Sequence, residues 1–396
     1  MRRIPLLALA AAILLNLCGG FLYGWSVLVE PLERSLGTSR AAVSAVYSVA
    51  LVGFTLGMFV ASGLLQRVRM PVLGFGVCGA MAAGLALAGL VARYGALMAG
   101  YALFAAAAGV TYFLCLAAAS TELPVRRSVA LGLATSAFAV GGLGWPVITV
   151  PMVQSLGVHG ALAVVAALLL AVGSLAALLL GLSGAATPRG DGKREGLFEN
   201  FFTERPRIAL SIWAGFVLLG VGGLMAVSHA AGIAADYGVP ESETWLGALV
   251  VNLAYVPGAL IGGFLSERWG GRRVLIGMGL AVGGPLLLLL VVPSAGTSLA
   301  ALACVGAAFG ASTSTYPVTI AGYYGVARVP AIYGRVSIGY GVAGLTAPYL
   351  AGRLHDLAGD YRLALAIAAC VGLASLLPAL ILPPVTSREA TVARQG

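Results

Sequence analysis

The chain has 396 residues, 60% of them hydrophobic and only 9% charged, with 56 glycines and a formal net charge of +9. A soluble domain carries roughly 25% charged residues, and a disordered chain needs low hydrophobicity and high charge, so both classes are excluded. One bilayer-spanning helix takes about 20 apolar residues, and the apolar content fits a polytopic membrane protein.

Apolar runs bounded by charged or Gly/Pro/Ser breaks fall, in chain order, near 5–29, 41–64, 72–92, 96–119, 128–151, 158–182, 208–232, 243–266, 274–292, 297–320, 333–353 and 362–383. They predict an all-α integral membrane fold of twelve transmembrane helices. The opening Met1-Arg2-Arg3 imitates a signal peptide, but the apolar run continues past Trp25, beyond the ~7–15 residues of a signal core. It reads as a first span. With the N-terminus in the cytoplasm, Arg34, Arg40, Arg93, Arg353 and Arg362 fall outside, leaving 18 of the 23 Lys and Arg inside. That split follows the positive-inside rule. The basic charge therefore sets topology and is no nucleic-acid footprint. A multi-pass protein of the plasma (inner) membrane is expected, with both termini cytoplasmic.

The longest polar stretch separates an N-terminal six-helix bundle over 1–182, a cytoplasmic linker over 183–207, and a C-terminal six-helix bundle with a short tail over 208–396. Phe198, Phe201 and Phe202 lie at helical spacing in the linker, which is either a short interfacial helix or a plain flexible connection. The two halves repeat each other. A shift of 201 carries Gly57 onto Gly258, Leu64 onto Leu265 and Arg67 onto Arg268. A shift of 202 carries Gly132 onto Gly334, Val140 onto Val342, Gly142 onto Gly344, Leu143 onto Leu345 and Pro146 onto Pro348. Parallel repeats of this kind imply a pseudo-twofold axis along the membrane normal, with a substrate path between the halves.

Chemistry-bearing patterns are sparse. The five cysteines (Cys18, Cys78, Cys115, Cys304 and Cys370) lie in spans without paired spacing and read as packing residues, with no disulfide or metal framework. His159, His229 and His355 form no ligand cluster. There is no H-E-x-x-H, G-x-S-x-G or Walker loop, and Gly277-x-Gly279-x-x-x-Gly283 misses the dinucleotide spacing. No enzyme activity, metal or cofactor is expected; a small-molecule substrate, the lipid bilayer and protons are the expected partners. A channel or membrane receptor is the alternative of a different class.

Polar groups within spans are expensive and are functional candidates by default. Asn16, Tyr23 and Glu30 recur every seven residues in the first span, on one helix face. They bind substrate, with Glu30 a candidate proton carrier, or they join helices and end in a surface charge. Asn252, Tyr255 and Ala259 share a face of the eighth span. Phe309, Thr313 and Tyr316 share one in the tenth, among Ser312, Ser314 and Thr315, whose hydroxyls either bind substrate or permit close packing. His229 is the one ionisable group expected well inside a span. Its imidazole titrates near neutral pH, and it either couples transport to protons or is a hydrogen-bonded packing histidine. Arg335 is expected at the cytoplasmic mouth of the eleventh span, as a topogenic or gating charge or a substrate contact.

The turn after the eighth span reads Gly263-Phe264-Leu265-Ser266-Glu267-Arg268-Trp269-Gly270-Gly271-Arg272-Arg273. It resembles the G-x-x-x-D-R-x-G-x-R signature of the major facilitator superfamily, with Glu267 for Asp. The resemblance implies a charge latch of Gly263, Glu267, Arg268 and Arg272 between moving helices. The equivalent turn from Gly63 to Arg69 has Gln66 and no acid. A narrower resemblance, to the monocarboxylate transporter and oxalate/formate antiporter group, rests on two stretches. One is Asn16 to Val27 continuing to Glu30-Pro31-Leu32. The other is Phe309-Gly310, Pro317, Tyr324-Gly325, Tyr333-Gly334, Gly344, Pro348, Gly352, Asp356, Gly359 and Tyr361. It implies a secondary transporter of a small organic solute, a monocarboxylate or related organic acid, with Tyr112 and Tyr340 at binding positions. The chain departs from the group at two places. An Arg of the eighth span is Ala259 here, with Tyr255 one turn earlier, and a Lys of the eleventh is Tyr340. Both cations that would pair a carboxylate are missing there, so efflux of a neutral or amphipathic compound is the alternative.

The topology makes a direct prediction. Single cysteines at positions 189 and 237 are labelled by an impermeant reagent from opposite sides of the membrane, and labelling of both from one side contradicts it.

Overall fold

A computed structural model describes residues 5–122, 127–184, 204–325 and 328–383; the linker phenylalanines lie outside them. The described residues are helical and contain no strand. Ten helices among them are long and apolar enough to cross a membrane. One of these, Ser136–Leu182, has 47 residues, about 70 Å of straight helix against a hydrocarbon core of ~30 Å. It breaks at Gly157, with φ 72 and ψ 168, a conformation open to glycine alone, and so supplies two spans. Ile338–Ala358 is also long enough, at 21 residues, but more polar, with Arg353, His355 and Asp356 in its last turns. The structure is thus consistent with the twelve spans expected.

The chain divides into two compact units, Met1–Gly192 and Lys193–Gly396. In the first unit the first span packs on the fifth, the second on the fourth, and the third on the fourth and sixth. In the second unit the seventh packs on the eleventh and twelfth, the eighth on the tenth, and the ninth on the tenth and twelfth. The pairings correspond in the two halves, the seventh span making the additional contact with the twelfth.

Glycine sets the closest of these crossings. A Cβ on Gly57 would stand 2.0 Å from the Ala106 carbonyl oxygen, and one on Gly109 2.1 Å from that of Phe54. In the second unit a Cβ on Gly258 would meet the Ala307 carbonyl at 2.1 Å, and one on Gly310 that of Tyr255 at 2.0 Å. All four residues of the first contact map onto the second by the same shift of 201 residues. Backbone thus touches backbone at the crossing of spans two and four and again at that of eight and ten, the arrangement small residues permit in lipid.

Serine marks the helix breaks of the second unit. The seventh span runs Pro206–Val227, then restarts as Ala230–Asp236. At this break the Ser228 hydroxyl donates to the Leu224 carbonyl at 2.6 Å. The eleventh is split between Val329–Val336 and Ile338–Ala358, where Ser337 donates to Tyr333 at 2.8 Å. The twelfth is split between Arg362–Ala374 and Leu376–Ile381, where Ser375 donates to Gly372 at 2.6 Å. Hydroxyls that bond back along a helix compete with its own ladder and bend it. In the first unit the break is made differently: Pro5–Gly19 is followed by a 3-10 segment Gly20–Val27 and a short helix Val29–Leu36. Of the cysteines, Cys18, Cys78 and Cys115 are buried as expected of packing residues, whereas Cys304 and Cys370 are exposed and fill no core.

Gly57→Ala is expected to lower the thermal midpoint of the detergent-purified protein, since overpacking costs about 1–3 kcal/mol. Gly79, with nothing within 4 Å of its Cβ position, is the control: Gly79→Ala leaves the midpoint unchanged or raises it.

Candidate functional site

The first unit gathers aromatic rings from four spans. Phe138 stands edge-on to Tyr23 at 5.0 Å and to Tyr112 at 5.6 Å, and Phe54 lies 5.7 Å from Phe138 and 6.2 Å from Tyr112. Edge-to-face pairs of this kind are favourable beyond their buried area. The seat is glycine-lined: a Cβ on Gly19 would meet the Phe138 ring at 3.0 Å, and one on Gly20 its carbonyl oxygen at 2.2 Å. Of the expected residues, Tyr23 and Tyr112 are therefore brought together; Phe54 and Phe138 are additions from the structure. Asn16 is fully buried, and its side chain donates to the Ala134 carbonyl at 2.6 Å, joining the first span to the fifth.

The common face of Asn16, Tyr23 and Glu30 is not kept. The 3-10 segment turns each residue by about 120° in place of about 100°, which rotates Tyr23 and Glu30 away from Asn16. Glu30 opens the short helix beyond that segment and ion-pairs with Arg34 at the surface, an interaction of little energetic weight.

In the second unit Tyr255 lies at the Gly310 crossing. The ring of Phe309 lies 6.2 Å from that of Tyr340, and a Cβ on Gly223 would meet Phe309 at 2.9 Å. Tyr316 packs edge-on against Phe216 at 4.8 Å. The hydroxyls turn inward to their own helix: Ser312, Thr313 and Ser314 donate to the carbonyls of Phe309, Gly310 and Ala311. Thr315 and Ser266 join the tenth span to the eighth at 3.1 Å. Asn252 donates to Ala248 one turn back, at 2.9 Å. In this structure the hydroxyls of the Ser/Thr run bond to their own helix or to the eighth span, and Asn252 binds its own helix.

His229 sits at the break of the seventh span with 1% of its surface exposed. Nε2 lies 3.1 Å from the Pro348 carbonyl, and Nδ1 lies 2.8 Å from the Tyr361 hydroxyl. A carbonyl only accepts, so Nε2 carries the proton, and Nδ1 accepts from Tyr361 in the neutral ring. The clasp ties the seventh span to the eleventh and twelfth. Asp236 holds Tyr361 from the other side, accepting its backbone N–H at 2.9 Å, and the His355 ring lies 4.5 Å from that of Tyr361. Shifted by 201, His229 falls on Leu28, which caps the equivalent short helix of the first unit. The equivalent position in the first unit thus carries no titratable group.

The latch residues are dispersed. Gly270 takes φ 85 in the turn, and Arg272 donates to the Leu380 carbonyl at 3.0 Å, at the end of the twelfth span, where helix carbonyls carry negative charge. Glu267 and Arg268 are exposed, with no ion pair between them among the described residues. The described acid clip is elsewhere: Arg328 grips Glu204 through two hydrogen bonds of 2.7 and 3.1 Å, which hold the Glu204 carboxyl below its usual range. A lowered carboxylate pKa means the pair is intact at and above the ordinary glutamate range and is lost as pH falls through the lowered value. Arg205 also donates to the Tyr323 carbonyl, at 3.0 Å. No group of His, Cys, Asp or Glu able to hold a metal occurs among the described residues.

The sequence model of the Major Facilitator Superfamily matches residues 9–232 and 210–396. The chain belongs to that superfamily. It is 24% identical over 360 residues to the uncharacterized MFS-type transporter YhjX of Escherichia coli (strain K12), covering 86% of this chain and 85% of the relative. To the oxalate:formate antiporter of Oxalobacter formigenes it is 24% identical over 333 residues, covering 82% and 78%. Solved structures share the fold: a peptide transporter, POT, bound to alafosfalin has a TM-score of 0.76 at 14% identity, over 97% of this chain and 95% of that one. The nucleoside transporter NupG has a TM-score of 0.73 at 14% identity, over 95% and 100%. This facilitator is thus a multi-pass membrane transporter, and the channel and receptor readings fall away.

The two halves of the His229 clasp make a cycle. Tyr361→Phe and His229→Leu are each expected to cost about 1–3 kcal/mol, because each leaves a buried partner unmatched. The double variant, which copies the apolar Leu28 of the first unit, is expected to lose less in the thermal midpoint than the two single losses added together, the Pro348 carbonyl alone staying unmatched. Additive losses contradict the clasp.

Proposed function

We propose that this facilitator carries a small organic acid, a monocarboxylate or close relative, across the inner membrane by alternating access together with a proton. In this reading both termini and the 183–207 linker are cytoplasmic. The observation that carries it is the burial of ionisable groups. Of the Asp, Glu, His, Lys and Arg whose side-chain burial is described, only His229 and Arg335 are buried. No buried carboxylate there competes with His229 as proton carrier, and Glu30 is engaged at the surface. The similarity to an oxalate:formate antiporter supports an acid substrate.

Proton uptake at His229 needs a conformation in which Nδ1 is released from the Tyr361 hydroxyl hydrogen. Coupling then follows from reciprocity: a proton that strengthens acid binding is itself bound more tightly when the acid is present. The candidate contacts are Tyr23, Tyr112, Tyr255, Phe309, Thr313, Tyr316 and Tyr340, with Asn16 and Asn252 holding helices. Because these groups are aromatic or hydroxylic, and Ala259 and Tyr340 stand where cations were expected, efflux of a neutral amphipathic compound is the second reading.

In proteoliposomes, His229→Gln is expected to abolish pH-driven accumulation of a monocarboxylate while counterflow exchange persists, since Gln keeps hydrogen bonding but cannot titrate. An unchanged pH dependence removes His229 from the mechanism. Thermal stabilisation by neutral metabolites and by no carboxylate favours the second reading and overturns the first.

A further inference from the structure

We propose that His355 and Tyr361 carry the proton from the outer face to His229. This deepens the proton-coupled reading and rests on it. His229 and Tyr361 are each 1% exposed, so bulk solvent reaches neither ring, and a buried imidazole that titrates must be fed through its neighbours. The phenol of Tyr361 stands against two imidazoles. Its hydroxyl lies 2.8 Å from Nδ1 of His229, and its ring is centred 5.2 Å from that of His229 and 4.5 Å from that of His355. His355 lies in the last turn of Ile338–Ala358, at the outer end of the eleventh span in the proposed topology. It is half-buried, with Nδ1 turned inward. A group that titrates near neutral pH thus joins the surface to the phenol, and the phenol joins it to His229.

The surroundings fix the phenol. A Cβ on Gly232 would stand 2.9 Å from its hydroxyl oxygen, and Asp236 of the same short helix holds the Tyr361 backbone N–H. The other titratable or charged groups around it are Tyr237, Arg353, Asp356, Asp360 and Arg362, none of which titrates near neutral pH. The eighth and tenth spans also pack on the short helix; the tenth carries no charge, and the eighth only Glu267 and Arg268 at its other end. The first unit shows what the turn needs for packing alone. Gly157 and Gly359, 202 residues apart, both take positive φ, 72 and 80, and that register sets His159 on Tyr361 and Val153 on His355. His159 is content with the Ala88 carbonyl, 3.0 Å from its Nδ1. The second unit adds two histidines to a junction that one such bond can make.

The step balances. Protonated His355 turns a nitrogen onto the phenol oxygen and gives it a proton, as the hydroxyl proton crosses to Nδ1 of His229. One O–H bond forms as the other breaks, so no phenolate is buried. Tyr361 ends unchanged, the positive charge has moved from His355 to His229, and Nε2 keeps its bond to Pro348.

The test uses the full-length protein in proteoliposomes, with formate, acetate, propionate and lactate as probes. Two readouts are compared: initial uptake driven by an inward proton gradient, and counterflow exchange at equal pH. In His355→Gln, which cannot titrate, gradient-driven uptake of the acids that the wild type accumulates is expected to fall about tenfold or more, while counterflow changes less than about twofold. His355→Glu has nearly the shape of the Gln variant but can carry a proton, and it is expected to recover part of the loss at an outer pH of about 5, near the ordinary glutamate range. Tyr361→Phe removes the central oxygen and is expected to show the same split between readouts; should it fail to fold, the Gln and Glu pair at His355 carries the test. Equal behaviour of that pair, or parallel falls in both readouts, marks a structural role and overturns the proposal. Undiminished gradient-driven uptake in His355→Gln or in Tyr361→Phe does so too. If His229→Gln loses that uptake and His355→Gln keeps it, this inference falls and the proton-coupled reading stands. A wild type that accumulates none of the acids, or a His229→Gln variant that accumulates them as the wild type does, overturns both.

Discussion

Backbone contact between glycine-bearing helices is the constraint on which the rest of this structure depends. In lipid there is little hydrophobic force between helices, so association relies on close packing and on the few polar groups present. The carbonyls that Gly109 and Gly310 approach belong to Phe54 and Tyr255. The backbone at the tightest crossing in each unit is therefore also the backbone of a candidate site residue. A side chain added at these glycines would separate the helices and move the rings together. Packing and recognition are coupled at the same residues.

Against this rigid frame the polar groups fall into two classes. Ser228, Ser337 and Ser375 bond to carbonyls three or four residues back, and each stands at a break in a helix of the second unit. They shape the spans. His229 and Arg335 differ from them, because each is ionisable, buried and located at one of those breaks. Burial of such groups is costly unless they are matched, and His229 meets its cost with a carbonyl on one nitrogen and a phenol on the other. The first unit, with Leu28 at the matching position, uses no charge there. The two halves differ accordingly: an aromatic cluster in the first, and two buried ionisable side chains in the second.

Much of this was legible in the sequence. The all-helical membrane fold and the superfamily follow from apolar runs, polar breaks and the Gly263–Arg273 turn, because each is a long, repeated signal. The breaks were not. The expected seventh span ran unbroken over 208–232, since a single serine among apolar residues carries no periodic signature, and whether its hydroxyl bonds backward is decided by tertiary contacts. The Asn16–Tyr23–Glu30 face assumed one winding, and the 3-10 segment from Gly20 removed it. Phe54 and Phe138 are inconspicuous in an apolar chain, yet the internal repeat contained them: Tyr255 less 201 is position 54, and Tyr340 less 202 is position 138. Tyr361 stood in the stretch resembling carboxylate transporters, but its partner His229 lies 132 residues away, a pairing that only the fold reveals.

The central claim is that an acid and a proton are bound together, with His229 taking the proton. Calorimetric titration of the purified protein with a transported monocarboxylate, repeated in buffers of different ionisation enthalpy near neutral pH, counts the protons taken up on binding. The account predicts net uptake approaching one proton per acid in the wild type and none in His229→Gln. Binding of the acid by the wild type with no proton uptake, or equal uptake in both proteins, would contradict it.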